Sequence, residues 1–151
     1  MKKRVTAAFS CALLFSAALS GVCLAFRPAD LERVKAVYRC PGCDLSGADL
    51  TGTNLAYANL QKANLSQSNL AGVQLGQANL SGANLSGANL TGAKLNMANL
   101  TGANLSGAKL TGARFYNAIL SGADISGADL SDALWVDGKM CKPDSTGECV
   151  R

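Results

Sequence analysis

The chain has 151 residues, enough for one ordinary domain, with 14 Lys and Arg against 10 Asp and Glu. Its hydrophobic fraction is 48% but aromatics supply only 5%, so Leu and Ala must build the core, and side chains of that size fill an interior only by regular stacking. No His occurs, which excludes a His-activated nucleophile.

Lys2, Lys3 and Arg4 form a basic leader, followed by an uncharged apolar run from Val5 to Ala25. This is the layout of a secretory signal peptide over residues 1–25, with Cys23-Leu24-Ala25 as the best cleavage site. Two anchored readings compete with cleavage. The run is long enough to span a bilayer if left uncut, and Cys23 is a candidate for lipid modification, although Val22 before it is bulkier than such signals normally carry. Cleavage would leave eleven cations against ten acids, a net charge of +1. Such a chain offers no electrostatic case for nucleic acid or an anionic membrane.

Residues 26–42 read as an N-terminal cap. Pro28 to Tyr38 has the marks of a short amphipathic helix: Pro28 in the first turn, Asp30 and Glu32 at the positive end, and a stripe of Leu31, Val34 and Val37 or Tyr38. The stripe is expected to lie on whatever follows.

From Cys43 to Asp137 the sequence divides into nineteen consecutive five-residue units without insertion or deletion, from CDLSG and ADLTG through ANLSG and ANLTG to ADLSD and ALWVD. Leu holds the centre of sixteen, with Phe115, Ile125 and Trp135 in the rest, and the residue two before the centre is small, usually Ala. A period of five makes no apolar stripe on an α-helix, and on a strand it throws successive Leu residues onto opposite faces. The chain must therefore bend once per unit, producing a coil whose turns stack with β-sheet hydrogen bonds.

These A-(D/N)-L-x-x units resemble those of the pentapeptide-repeat proteins over residues 43–137. The resemblance implies an all-β solenoid, a right-handed quadrilateral β-helix with four units per coil. Its central residue and the residue two before point inward, and the other three outward. Nineteen units then make about 4.75 coils, a rod of roughly 23 Å at about 4.8 Å per layer. The fifth residue of each unit supports a square independently of the family. It is Gly in eleven units, but Tyr57, Gln77, Met97, Asn117 and Asp137, spaced by twenty, never are. Thr53, Val73, Phe115 and Trp135 give the same side its unusual core residues. Since Gly suits the left-handed position of a type II turn, type II turns are expected on three sides and a different turn on the fourth.

Residues 138–151 form a tail with two cysteines. With Cys11 and Cys23 in the signal, the remaining four pair most simply as Cys40–Cys43 and Cys141–Cys149, each stapling one cap. Cys40-Pro41-Gly42-Cys43 has the spacing of a redox pair, but such a pair sits at the start of a helix, whereas here the helix comes first. Cysteine pairs at opposite ends of a rod exclude a single four-Cys zinc site. No catalytic, metal or cofactor-binding residue is assigned, and no enzyme activity or cofactor is expected.

On the side without Gly, Tyr57, Lys94, Met97, Arg114 and Tyr116 should project from neighbouring coils, and these residue types favour protein interfaces. The plainer reading is that large residues collect where the turn does not require Gly. The sequence thus predicts an exported, non-enzymatic structural or protein-interaction module, monomeric because both ends are capped, located in the periplasm or an equivalent lumen or secreted, with an unidentified protein partner, no nucleic acid, and no membrane once the signal is removed. The alternative is a DNA mimic of the kind that acts on gyrase in some relatives. Six acids against four cations in the repeat, and export, weigh against it. Ice or carbohydrate binding would call for stricter ladders than Thr51, Ala71, Thr91, Thr111, Ser131.

Overall fold

The computed structural model describes residues 26–151. The signal-peptide reading, with Cys11 and Cys23, lies outside them. No helix among the described residues is long and apolar enough to cross a membrane.

The repeat winds into a four-sided coil. Parallel bridges join residues twenty apart, from Arg39 with Asn59, through Asn64 with Asn84, to Arg114 with Leu134. The central Leu residues from Leu45 to Leu110 are buried, together with most of the Ala residues two positions earlier. The faces are numbered here by their central residues. Face one carries Leu45, Leu65, Leu85, Leu105 and Ile125; face two begins at Leu50, face three at Leu55 and face four at Leu60. Where Ser68 replaces the small apolar residue, its buried hydroxyl donates to Leu65 O at 2.6 Å, so the core holds no orphaned donor there.

Each unit satisfies its backbone in one repeated way. In the unit around Leu65, Leu65 N–H donates to Asn84 O at 2.7 Å and Gln67 N–H to Ser86 O at 3.0 Å in the next coil. Asn64 N–H donates back to Cys43 O at 2.8 Å, and Ser68 N–H closes the corner onto Leu65 O at 3.3 Å. The fifth donor, Ser66 N–H, is taken by the Asn64 side chain, Oδ1, at 3.2 Å. This explains why Asn or Asp so often precedes the centre: it supplies the one acceptor that the stacked backbone does not.

The expected difference in turn type is observed only at the last corner of face three, where Asp137 is not left-handed and Gly138 is, at φ +79°. Tyr57, Gln77, Met97 and Asn117 have φ of +64°, +57°, +59° and +57°, within ten degrees of Gly47 at +67° and Gly107 at +62°. At all the other corners from Gly47 to Asp132, on all four faces, only the third of the four residues is left-handed, the mark of a type II turn. The stacking imposes it. Met97 N–H must reach Tyr116 O (2.9 Å) as Gly107 N–H reaches Ser126 O (2.8 Å), whatever the side chain. The absence of Gly on face three therefore does not reflect a turn that can do without it.

Coil geometry begins one unit before Cys43. Tyr38 to Gly42 has a buried central Cys40, a left-handed Gly42 at φ +65°, and Cys43 N–H closing onto Cys40 O at 3.3 Å. Preceding it, α1 (Pro28–Val37) starts with Pro in the first turn and ends at Tyr38, itself left-handed at φ +51°. Val34 is buried and Leu31 packs on the core, but Val37 and Tyr38 are exposed, because the chain turns away there to enter the first coil. The start of α1 also closes one edge: Arg27 N–H donates to Asp44 O at 3.2 Å, and the Asp30 carboxylate accepts Asp44 N–H at 3.0 Å.

At the far end Phe115 and Trp135 replace Leu on face three, their ring centroids 5.4 Å apart and tilted by 60°. The tail then reverses direction. Leu134 bridges Met140 and Asp129 bridges Thr146, both antiparallel, with Cys141 N–H on Ala133 O at 2.8 Å and Leu130 N–H on Ser145 O at 2.7 Å. A reversed strand uses the backbone groups that a further coil would need, which blunts the edge against end-to-end growth. Disulfides join Cys40 to Cys43 and Cys141 to Cys149, with Cα atoms 5.3 and 5.0 Å apart.

Candidate interaction face

The residues singled out on one side all lie on face three or its corner with face four. Lys94 and Arg114 stand directly over one another in adjacent coils and are exposed. Tyr57, Met97 and Tyr116 project from the corner with 72%, 51% and 46% of their surface exposed. Ile119, the first outward residue past the corner on face four, is 52% exposed and breaks a column of Asn59, Asn79 and Asn99. These four are the large apolar side chains most exposed within the repeat, and they share one edge of the square.

Face three also lacks the side-chain acceptors that brace the other corners. Before its centres stand Asn54, Gln74, Lys94, Arg114 and Leu134, and only Asn54 makes the bond, to Ala56 N–H at 3.0 Å. Among the described residues, Gly76, Asn96 and Tyr116 N–H have no protein acceptor, and the buried Asn96 Oδ1 has no partner either. Face one makes the same bond in all five units, at 2.9–3.2 Å, from Asp44, Asn64, Asn84, Asn104 and Asp124. Its amides also link coil to coil, Asn64 Nδ2 to Asp44 Oδ1 at 3.1 Å and Asn84 Nδ2 to Asn64 Oδ1 at 3.4 Å.

The acids on the other faces are held by short local bonds. Asp49 accepts the Thr51 hydroxyl at 2.6 Å and its N–H at 3.0 Å, which hold its carboxyl below the usual range. Asp129 is lowered by the hydroxyls of Ser131 (2.6 Å) and Thr111 (2.7 Å), and Asp124 by Ser126, chiefly its N–H at 2.9 Å. A shallow depression of about 240 Å³, lined by Gly112, Arg114, Asp132, Leu134 and Met140, is open to solvent. Asp30, Cys40 and Cys43 place possible ligand atoms within 4.8 Å of one another, but the two sulfurs are bonded to each other and present no thiolates.

The Pentapeptide repeats family matches residues 42–72, 68–107 and 98–134, in eight copies. The chain belongs to the pentapeptide-repeat family. Proteins of this family form right-handed quadrilateral β-helices and are in general structural or interaction modules. Solved pentapeptide-repeat structures are similar to this chain. HetL of the cyanobacterium Nostoc sp. strain PCC 7120, involved in heterocyst differentiation regulation, is 35% identical over 68% of this chain and 51% of its own, with a TM-score of 0.46. The chain thus spans about half the length of HetL. A pentapeptide repeat protein of the Arabidopsis thaliana thylakoid lumen is 29% identical over 76% of this chain and 86% of its own (TM-score 0.42). QnrB1, a plasmid-mediated fluoroquinolone resistance protein, is 25% identical over 63% of this chain and 61% of its own (TM-score 0.38). None of the curated proteins matches the sequence.

Proposed function

We propose that this pentapeptide-repeat protein is an exported, non-enzymatic module of nineteen repeats that binds a protein partner through face three and its corner, with Tyr57, Lys94, Met97, Arg114 and Tyr116 as the contact residues. The observation that carries the reading is that face three gives up two stabilising features at once. It holds Tyr57, Gln77 and Met97 left-handed, at about 1 kcal/mol or more each relative to Gly, and lacks four of the five corner-bracing bonds. Neither loss improves packing, since the core behind is as well buried as elsewhere. Large exposed side chains on a rigid surface are what these losses leave in place.

Export rests on the two disulfides, which use all four cysteines of the described residues and persist in oxidising compartments, together with the signal-like residues 1–25. The reversed tail and α1 support a monomer in the periplasm or an equivalent lumen. The gyrase-directed alternative gains nothing from the charge pattern, because the acids do not form a continuous column on any face. In the host, cross-linked partners of the wild type should be lost from Tyr57→Ala/Met97→Ala/Tyr116→Ala. Equal recovery from both removes the face from consideration.

A further inference from the structure

Sorting the charges of the repeat by face divides the rod lengthwise. Asp44 and Asp124 lie on face one, Asp49 and Asp129 on face two, where Lys109 is the one cation, and Asp132 stands at the corner of face two with face three, lining the shallow depression beside Arg114. Faces three and four carry Lys62, Lys94 and Arg114, with Arg39 in the first coil below, and all four are exposed. The acid on this half, Asp137, is neutralised by Arg151 at 3.0 Å, the ion pair found among the described residues. Among the described residues these cations have no acid within ion-pair distance; Lys94 and Arg114 lie on the face whose corner carries the exposed aromatic and Met side chains, whereas Lys62 stands at the opposite corner of face four.

We propose that face three and its corner with face four recognise an acidic polypeptide segment laid along the rod, its carboxylates meeting Lys94 and Arg114 and its apolar side chains meeting Tyr57, Met97 and Tyr116. The inference rests on the contact reading above and adds the chemistry of the partner. Tyr57 to Tyr116 spans roughly 14 Å along the axis, which an extended chain covers in about four residues, with successive same-side groups about 7 Å apart. Complementary charge steers such a segment onto the edge, and the interleaved rings and thioether supply the apolar contact. A polypeptide fits better than a nucleic acid, whose binding draws on a run of cations that neutralise successive phosphates. Among the described residues, Lys94 and Arg114 are the only cations stacked in adjacent coils.

The test is fluorescence anisotropy of the disulfide-bonded protein with a labelled random copolymer of glutamate and tyrosine, against a lysine–tyrosine copolymer of equal length. The glutamate copolymer should bind, at least tenfold more tightly than the lysine copolymer, and weaken severalfold as salt is raised. Lys94→Glu/Arg114→Glu should reduce that binding at least tenfold, whereas Lys109→Glu on face two should leave it within twofold, with circular dichroism showing both variants folded. Equal binding of the two copolymers, equal effects of the two variants, or tighter binding to an oligonucleotide or to anionic phosphatidylglycerol vesicles than to the glutamate copolymer would overturn the proposal. The contact reading is tested separately. If the natural partner is lost with Tyr57→Ala/Met97→Ala/Tyr116→Ala but kept with Lys94→Glu/Arg114→Glu, face three remains the contact surface and the acidic partner is rejected.

Discussion

Face one and face three are built on the same backbone and are dressed in opposite ways. Face one repeats Asn or Asp, an inward Leu or Ile and Ser through every coil, with Gly at every corner but Gln67, so four of its five corners have a residue suited to φ > 0 and all five have a side chain bonded to the free N–H. Face three keeps the corners but fills them with Tyr57, Gln77, Met97 and Asn117, and replaces the bracing Asn with Gln74, Lys94 and Arg114. The contrast separates two demands on one surface. A solenoid face that only has to stand converges on the residues its turn favours. On the proposed reading, a face that departs from them in most coils, as face three does, answers to contact with something outside the chain.

If the difference is confined to the outside, the largest perturbations should not distinguish the faces. Leu105→Ala behind face one and Leu95→Ala behind face three should each cost about 2–5 kcal/mol, agreeing within about 0.5 kcal/mol in urea unfolding. A much cheaper Leu95→Ala would mean that the interior of face three is also loosely built.

The corner residues should then separate the faces with opposite signs. Gly107 has open space where a Cβ would stand, so Gly107→Met isolates the conformational cost and should destabilise by about 1–2 kcal/mol. Met97→Gly should do the reverse and stabilise the fold by up to about 1 kcal/mol after the added freedom of the unfolded chain is subtracted, raising the melting temperature. A smaller contrast lies before the centre. Asn84→Ala removes the acceptor of Ser86 N–H and should cost about 1 kcal/mol, while Lys94→Ala should stay within about 0.5 kcal/mol. Equal effects would show that the side-chain acceptors do not brace the corners.

Acid should give the smallest effect. Asp49, Asp124 and Asp129 have carboxyls below the usual range in the folded state, so between that depressed value and about 3.9 the unfolded chain binds more protons. Their contribution is complete above about pH 4 and declines as pH falls through the folded values. These groups lie at the surface, so the decline should be slight, and Asp129→Asn should flatten the acid limb of the melting profile. A profile that instead steepens would assign acid lability to other groups.

The fold was legible because two periods are superimposed: the inward Leu every fifth residue sets the coil, and the recurrence of non-Gly residues every twentieth marks the square. The turn on face three was misread for a definite reason. Propensity speaks for an isolated corner, but Met97 is held left-handed by its bond to the coil above, which a local reading does not see. The apolar stripe of α1 was extended too far for a similar cause, since Tyr38 has to leave the helix to enter the first coil. Bonding of the N–H two residues on by Asn or Asp before the centre follows from the preference of these side chains for nearby backbone donors. Its absence from face three, and the lengthwise division of charge, were both readable from Gln74, Lys94, Arg114 and Leu134 once the units are sorted by face.

The central claim is that face three sacrifices stability for contact, and one double variant tests it directly. Tyr57→Gly/Met97→Gly should melt at a higher temperature than the wild type and, in a competitive capture from the host, should recover less of the wild type's cross-linked partner. A variant that melts higher and captures the partner as well as the wild type would contradict the account, and so would one that melts lower.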